Sequence, residues 1–264
     1  MTHVLGDLCD SHVRDEAVAP GTVGIVHLAA STSVLRSVER PTQTYADNVA
    51  VTQELLELAR IRGVGTFLLA STNAVVGDVG TTTITEGLPL RPLTPYGATK
   101  AACEMLLSGY AGAYGMTTCA LRFSNVYGPG MAHKDSFVPR LMRAALSGST
   151  VRIYGDGSQR RDLVHVDDVA RAVLLGWDTG YTGSAIIGSG RSVSVVELVD
   201  TVRRVTGRGL QTEHVAAQQG EMPAVVLDLS HSADVIGYRP TVELTDGLAS
   251  TWRYFRDEVG AATA

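Results

Sequence analysis

Tyr96 and Lys100 stand four residues apart in TPYGATK (94–100), a spacing that puts both side chains on one face of a helix. An ammonium beside a phenol favours the phenolate and lowers its pKa from about 10 toward neutral pH. A tyrosine tuned in this way can serve as general acid or base on a sugar hydroxyl. Taken alone, the pair also reads as a solvated tyrosine and a surface lysine. Thr72 follows the apolar run TFLLAS (66–71) and offers a second hydroxyl that can share a substrate proton with Tyr96. Its structural alternative is a turn former or helix cap.

The elements that must position these residues are legible from periodicity. GIVHLAA (24–30), TFLLAS (66–71) and TTCALRF (117–123) read as buried strands. Between them lie two segments of helical period, 45–63 and 95–115. The first sets Val51, Leu55 and Leu58 on one face, and the second Ala102, Met105 and Leu106. Gly63 and Gly115 stand where helix C-caps belong. Strands alternating with such helices predict βαβ units and a parallel sheet, hence an α/β fold. Beyond residue 150 the pattern shortens: VRIYG, SAIIG and AVVLD read as strands, 194–206 and 244–258 as helices. The expected division is a Rossmann-like domain over 1–150 and mainly a smaller α/β substrate lobe over 151–264. Ligands of open α/β sheets bind beyond the carboxyl ends of the strands, which singles out 29–33, 71–77 and 124–130.

Composition narrows the classes. The 264 residues carry a formal net charge of −5, which gives no footprint for nucleic acid. No apolar run reaches the roughly 18 residues of a membrane helix, and MTHVLGDLCD has neither the basic nor the apolar part of a signal peptide. The three cysteines, Cys9, Cys103 and Cys119, lack CxxC spacing and read as buried thiols. The seven histidines show no ligand spacing, so no metal is expected. A cytoplasmic protein follows from these features.

STNAVVG (71–77), TPYGATK (94–100), LRFSNVYGPG (121–130) and GDGSQRRDLVHVDD (155–168) occur in the order and spacing of the extended short-chain dehydrogenases. HLAA (27–30), the helix with Asn48, and DLSHSADVIGYRPTVEL (228–244) match as well. The chain thus resembles, over almost its whole length, the NAD-dependent epimerase/dehydratase members that remodel nucleotide-sugars, in particular the UDP-glucose 4-epimerase type. The resemblance implies Tyr96 as acid/base, Lys100 as its partner and a ligand of the nicotinamide ribose, and Thr72 as the hydroxyl that orients the sugar. It places Ala29 and Ala30 against NAD, Asn48 behind the strand ends, and Asp7 and Leu8 at the adenine. Asn125 is implied at the substrate phosphates and Arg161 at the nucleotide diphosphate, where a planar fork suits phosphate oxygens. For Arg161 a surface pair with Asp162 or Asp168 is the alternative. Family members often dimerise through the helices that match 45–63 and 95–115, so a homodimer is expected.

Departures from the family pattern sharpen the expectations. The family opens with a strand, a glycine-rich turn that meets the pyrophosphate, a helix and a second strand. Nothing here matches that unit, and MTHVLGDL resembles the family's third strand. Either the sequence starts at a downstream methionine of a longer gene, or the chain is a truncated paralogue. An exposed sheet edge and weak NAD binding are expected of these 264 residues. In the dehydratases an Asp–Glu pair stands at the positions of Asn73 and Ala74 and carries the elimination of water. An amide and a methyl lack that chemistry. Val76 replaces a tyrosine, and Gln218 replaces an arginine that meets the diphosphate. The expected activity is C4 epimerisation of a UDP- or dTDP-sugar with NAD. The alternatives are a 4-ketosugar reductase, for which NADP is the other possible cofactor, and a silent nucleotide-sugar binder or support for a complete partner.

Overall fold

A computed structural model describes residues 2–217 and 223–259. The helices are α1 Ser11–Ala17, α2 Val34–Glu39, α3 Pro41–Tyr45, α4 Val51–Arg62, α5 Pro95–Tyr114, α6 Phe137–Ser147, α7 Val166–Thr179, α8 Val195–Thr206, α9 Ser230–Ile236 and α10 Leu244–Tyr254. A π-turn, Ala46–Ala50, joins α3 to α4. The strands are β1 Gly24–His27, β2 Thr66–Thr72, β3 Thr117–Phe123, β4 Asn125–Tyr127, β5 Val151–Tyr154, β6 Arg160–His165, β7 Gly183–Ile187, β8 Ser192–Ser194 and β9 Thr212–Val215.

The main sheet has the order β1-β2-β3-β7, and every pairing in it is parallel. Its strands read as continuous apolar runs because both faces are covered. On one face α4 and α5 pack over Phe67, Leu69 and Ala120. On the other, α7 and α9 pack over Leu68, Cys119 and Leu121. α4 and α5 end on Gly63 and Gly115, both left-handed at φ 68°. A second core gathers α6, α8 and α10 around Met142, Leu198 and Trp252. Two small sheets, β4-β6-β8 and β5-β9, complete that lobe.

The lobes do not part at residue 150. β4 and α6 precede residue 150 yet build the smaller lobe, whereas α7 and β7 return to the main sheet. Three local expectations also differ. MTHVLGDL forms no strand among its described residues; Asp7 turns the chain, and Asp10 caps α1 through the His12 amide. A strand exists only in a ladder, and β1 has β2 as its one ladder partner among the described residues. Val23, Val26 and Leu28 around that strand are exposed. AVVLD contributes only isolated bridges at Ala224 and Leu227, since its amides alternate between separate partners. Finally, the buried face of α5 carries Lys100, Ala101, Cys103, Glu104 and Leu107, and Met105 is exposed. Two buried charges on the inner face inverted the apparent amphipathicity.

Candidate active site

α5 begins where its sequence allows. Thr94 caps it by accepting the Gly97 amide at 3.2 Å, and Pro95 fills the first turn, where no amide partner is needed. A Cβ at Gly97 would stand 2.8 Å from the Ala74 carbonyl oxygen, so glycine lets the helix start touch the turn after β2. That contact brings Tyr96 into one cleft with Thr72, whose hydroxyl favours the phenolate. The Tyr96 amide donates to Ser37 Oγ at 3.1 Å.

The electrostatics differ from the sequence expectation. Burial pushes the Tyr96 pKa up, with the Thr72 hydroxyl pulling the other way. Lys100 donates from Nζ to the Ala70 carbonyl at 2.8 Å, and burial pushes its own pKa down. The ammonium serves the end of β2 in this arrangement, so it does not lower the phenol. His27, at the end of β1, is buried and held neutral down to about pH 4 by burial and by the Lys100 charge.

The exit of β1 is fixed by Asn48, which the π-turn carries. Its Oδ1 accepts the Ser31 amide at 2.7 Å, and its Nδ2 donates to the Ser31 carbonyl at 3.1 Å and to Thr99 Oγ1 at 3.0 Å. Thr99 in turn donates to the Tyr96 carbonyl at 2.8 Å. One buried amide thereby ties the β1 exit to the first turn of α5. Ala29 and Ala30 line an open cleft of about 870 Å³ with Asp7, Leu8, Ser31 and Asp47. Cys9 is exposed at its edge, against the expectation of a buried thiol.

Tyr96, Lys100, Thr72 and Ala30 line a second cleft of about 620 Å³, which continues to Asn125. Sequence reasoning missed His133 and Lys134 on its far wall. Lys134 reaches across to Thr32 Oγ1 at 3.4 Å, a pairing 102 residues apart that no local pattern signals. Among the described residues no acidic side chain lines this cleft. Asn125 donates to the Asp162 carbonyl at 2.9 Å and also borders a chamber of about 250 Å³ with Arg161, Arg140, Arg152 and Tyr154. Arg161 donates to the Arg160 carbonyl at 2.8 Å. The carboxylates named as its alternative partners are buried and engaged, Asp162 by Ser189 and Asp168 by Thr241, Val242 and Arg171.

Asn73 is buried, and neither its amide nitrogen nor its oxygen has a hydrogen-bond partner. Ala74 presents a methyl. Val76 packs with Val75 and Ile84 in a small apolar cluster. Gln218 lies outside the described residues. Among the described residues no group of three or more His, Cys, Asp or Glu could hold a metal ion, and no helix is long and apolar enough to cross a membrane.

The residues present suit the two ends of a dinucleotide. Small side chains at Ala29 and Ala30 leave room beyond the strand end, Asp7 offers a carboxylate to ribose or amine donors, and Lys100 stands beside Tyr96 at the other end. No glycine-rich turn between a strand and a helix faces this edge among the described residues.

Comparison with known proteins agrees with this geometry. A family model, "NAD dependent epimerase/dehydratase family", matches residues 2–187. A dTDP-glucose 4,6-dehydratase of Actinoplanes sp. is 35% identical over 255 residues, covering 96% of this chain and 79% of the relative. The crystal structure of a UDP-glucose 4-epimerase from Thermotoga maritima with UDP-glucose superposes with a TM-score of 0.92 at 31% identity, covering 96% and 84% of the two chains. The dTDP-glucose 4,6-dehydratase DesIV from Streptomyces venezuelae, solved with NAD bound, gives a TM-score of 0.88 at 33% identity, covering 97% and 80%.

Proposed function

The chain belongs to the NAD-dependent epimerase/dehydratase family, and on that premise we propose that it epimerises C4 of a UDP- or dTDP-sugar using NAD. The observation that carries this reading is the pair Asn73 and Ala74 beside an intact Thr72, Tyr96 and Lys100. Identity alone does not separate the two reactions, because dehydratases and epimerases match at similar levels. Elimination across the sugar ring needs an acid and a base near C5 and C6. Asn73 has no ionisable proton, and Ala74 has no polar group.

NAD, when bound, supplies a hydride acceptor for C4 and a positive charge beside Tyr96. Tyr96 removes the C4 hydroxyl proton and later returns a proton to the oxygen of the 4-keto sugar. As built, the phenol is protonated, which suits the second of these steps. The first needs a cation closer than Lys100 now stands, since Lys100 is engaged by Ala70. Thr72 shares the proton and fixes the hydroxyl's direction, and Asn48 holds the β1 exit and α5 in common register. Asn125 and Arg161 take the diphosphate, with Arg140 and Arg152 adding positive charge to the same chamber. Exposed Ile61, Met105 and Tyr114 on α4 and α5 support a homodimer through those helices. A cytoplasmic setting suits reduced Cys103 and Cys119.

The test is to incubate the protein with NAD in the large excess that its expected weak binding calls for, together with either UDP-glucose or dTDP-glucose, and to follow products by chromatography and mass spectrometry. The C4 epimer is expected, with unchanged mass. A product lighter by one water would overturn the reading in favour of dehydration.

A further inference from the structure

We propose that Glu104, held by Ser71 and Arg122, is a positioning clamp that fixes the catalytic face of α5 against the end of β2. Tyr96, Lys100 and Glu104 follow one another at four-residue steps along one helix face. Between them they meet three consecutive residues of β2: Tyr96 stands with Thr72 in one cleft, Lys100 bonds the Ala70 carbonyl, and Glu104 accepts from Ser71 Oγ. The first two contacts face the cleft. The third lies behind them, with Ser71 3% and Glu104 5% exposed.

The anchor itself is unusually complete. Arg122 stands beside Ser71 in the parallel register of β2 and β3 and grips both carboxylate oxygens of Glu104, through Nε at 3.1 Å and Nη2 at 2.7 Å. Its remaining reach goes to the Glu86 carbonyl at 3.3 Å. Glu86 in turn accepts the Ile186 amide at 2.8 Å and the Ser232 hydroxyl at 3.0 Å. The clamp therefore joins α5 to three strands of the main sheet and to α9.

Apolar packing alone leaves the axial position of a helix soft, because it has no direction. Charge-assisted bonds fix it, and a buried pair does so stiffly because losing a partner strands a charge. Tyr96 lies eight residues along from Glu104, about 12 Å at the helical rise. A small slip at the clamp therefore moves the phenol relative to Thr72. Misplacement by about 1 Å can cost about a hundredfold in rate. The Glu104 charge also favours the protonated form of Lys100, one turn away, against the effect of its burial.

This inference rests on Tyr96 being the acid/base group, and its test separates the two claims. Ser71→Ala removes one bond and little volume, so the fold should persist. With NAD and the sugar that the wild type epimerises, kcat should fall about tenfold while KM stays within about twofold. The same substitution on a Tyr96→Phe background should have no further effect, since it acts through Tyr96. Glu104→Gln, which keeps the shape but strands Arg122, should fall further than Ser71→Ala. An unchanged kcat in Ser71→Ala, or full additivity with Tyr96→Phe, overturns the clamp while leaving the epimerase reading intact. A wild type without turnover overturns that reading instead. Hydrogen exchange then decides the clamp: amides of 97–104 should exchange about tenfold faster in Ser71→Ala with those of α4 unchanged, and equal rates in 97–104 overturn it.

Discussion

The two ends of the site are built from different materials. On the α5 and β2 side of the cleft, around Tyr96, the polar groups are short or buried, and they bond inward: Asn48 to Ser31 and Thr99, Lys100 to Ala70, Ser71 to Glu104. Around Arg161 the polar groups are long, and Asn125, Arg140 and Arg152 are exposed. Proton and hydride transfer tolerate little displacement, so they call for atoms fixed by the fold. A diphosphate presents several equivalent oxygens, and planar guanidinium forks match them in more than one geometry. Chemistry and recognition thus draw on rigidity and charge respectively.

Breaking the rigid end should cost most. Tyr96→Phe keeps the ring and its packing but removes the proton donor, so turnover should fall by about 10²–10⁴-fold with affinities for NAD and nucleotide-sugar equal to those of the wild type. Steady-state kinetics alongside calorimetric titration checks this, and near-wild-type turnover would refute the role. Breaking the charged end should show in binding instead. Arg161→Ala should raise KM about ten- to hundredfold with kcat within about twofold, the value of a charge-assisted hydrogen bond. A fall in kcat with KM unchanged would show that the two ends are not divided in this way.

The smallest effect concerns His27. Its folded pKa of about 4 lies below the ordinary 6.5, so the unfolded chain takes up its proton first as pH falls. The stability that neutral His27 contributes is therefore complete above pH 6.5 and is lost as pH falls toward 4. Its buried Nε2 has no hydrogen-bond partner, so His27→Leu strands no group bonded to that nitrogen. Thermal unfolding of His27→Leu should depend less steeply on pH between 6.5 and 4 than the wild type does. An unchanged slope would place the acid sensitivity elsewhere.

What the sequence revealed follows the reach of each interaction. TTCALRF coincides with β3, and 95–115 with α5 and its glycine cap, because apolar runs and caps are local signals. Tyr96, Lys100 and Thr72 were readable from spacing and from the carboxyl-end rule for parallel sheets, and the structure brings all three to one cleft. The inner face of α5 was not, since Lys100 and Glu104 look like solvent residues until Ala70, Ser71 and Arg122 arrive from other strands. Lys134 was missed for the same reason. The expected lowering of the Tyr96 pKa assumed that the ammonium faces the phenol, whereas the Ala70 carbonyl, two strand residues before Thr72, holds it. AVVLD looked like a strand by composition, yet its backbone bonds go to Ile84 and Arg160, far apart in the chain.

The most direct test of chemistry confined to C4 is proton NMR of the wild-type reaction in heavy water, with NAD and UDP-glucose or dTDP-glucose. Tyr96 exchanges only oxygen-bound protons, and the hydride that leaves C4 returns to it. The C4 epimer should therefore accumulate with ordinary hydrogen at both C4 and C5. Deuterium at C5 together with loss of water, or deuterium at C4, would contradict the account.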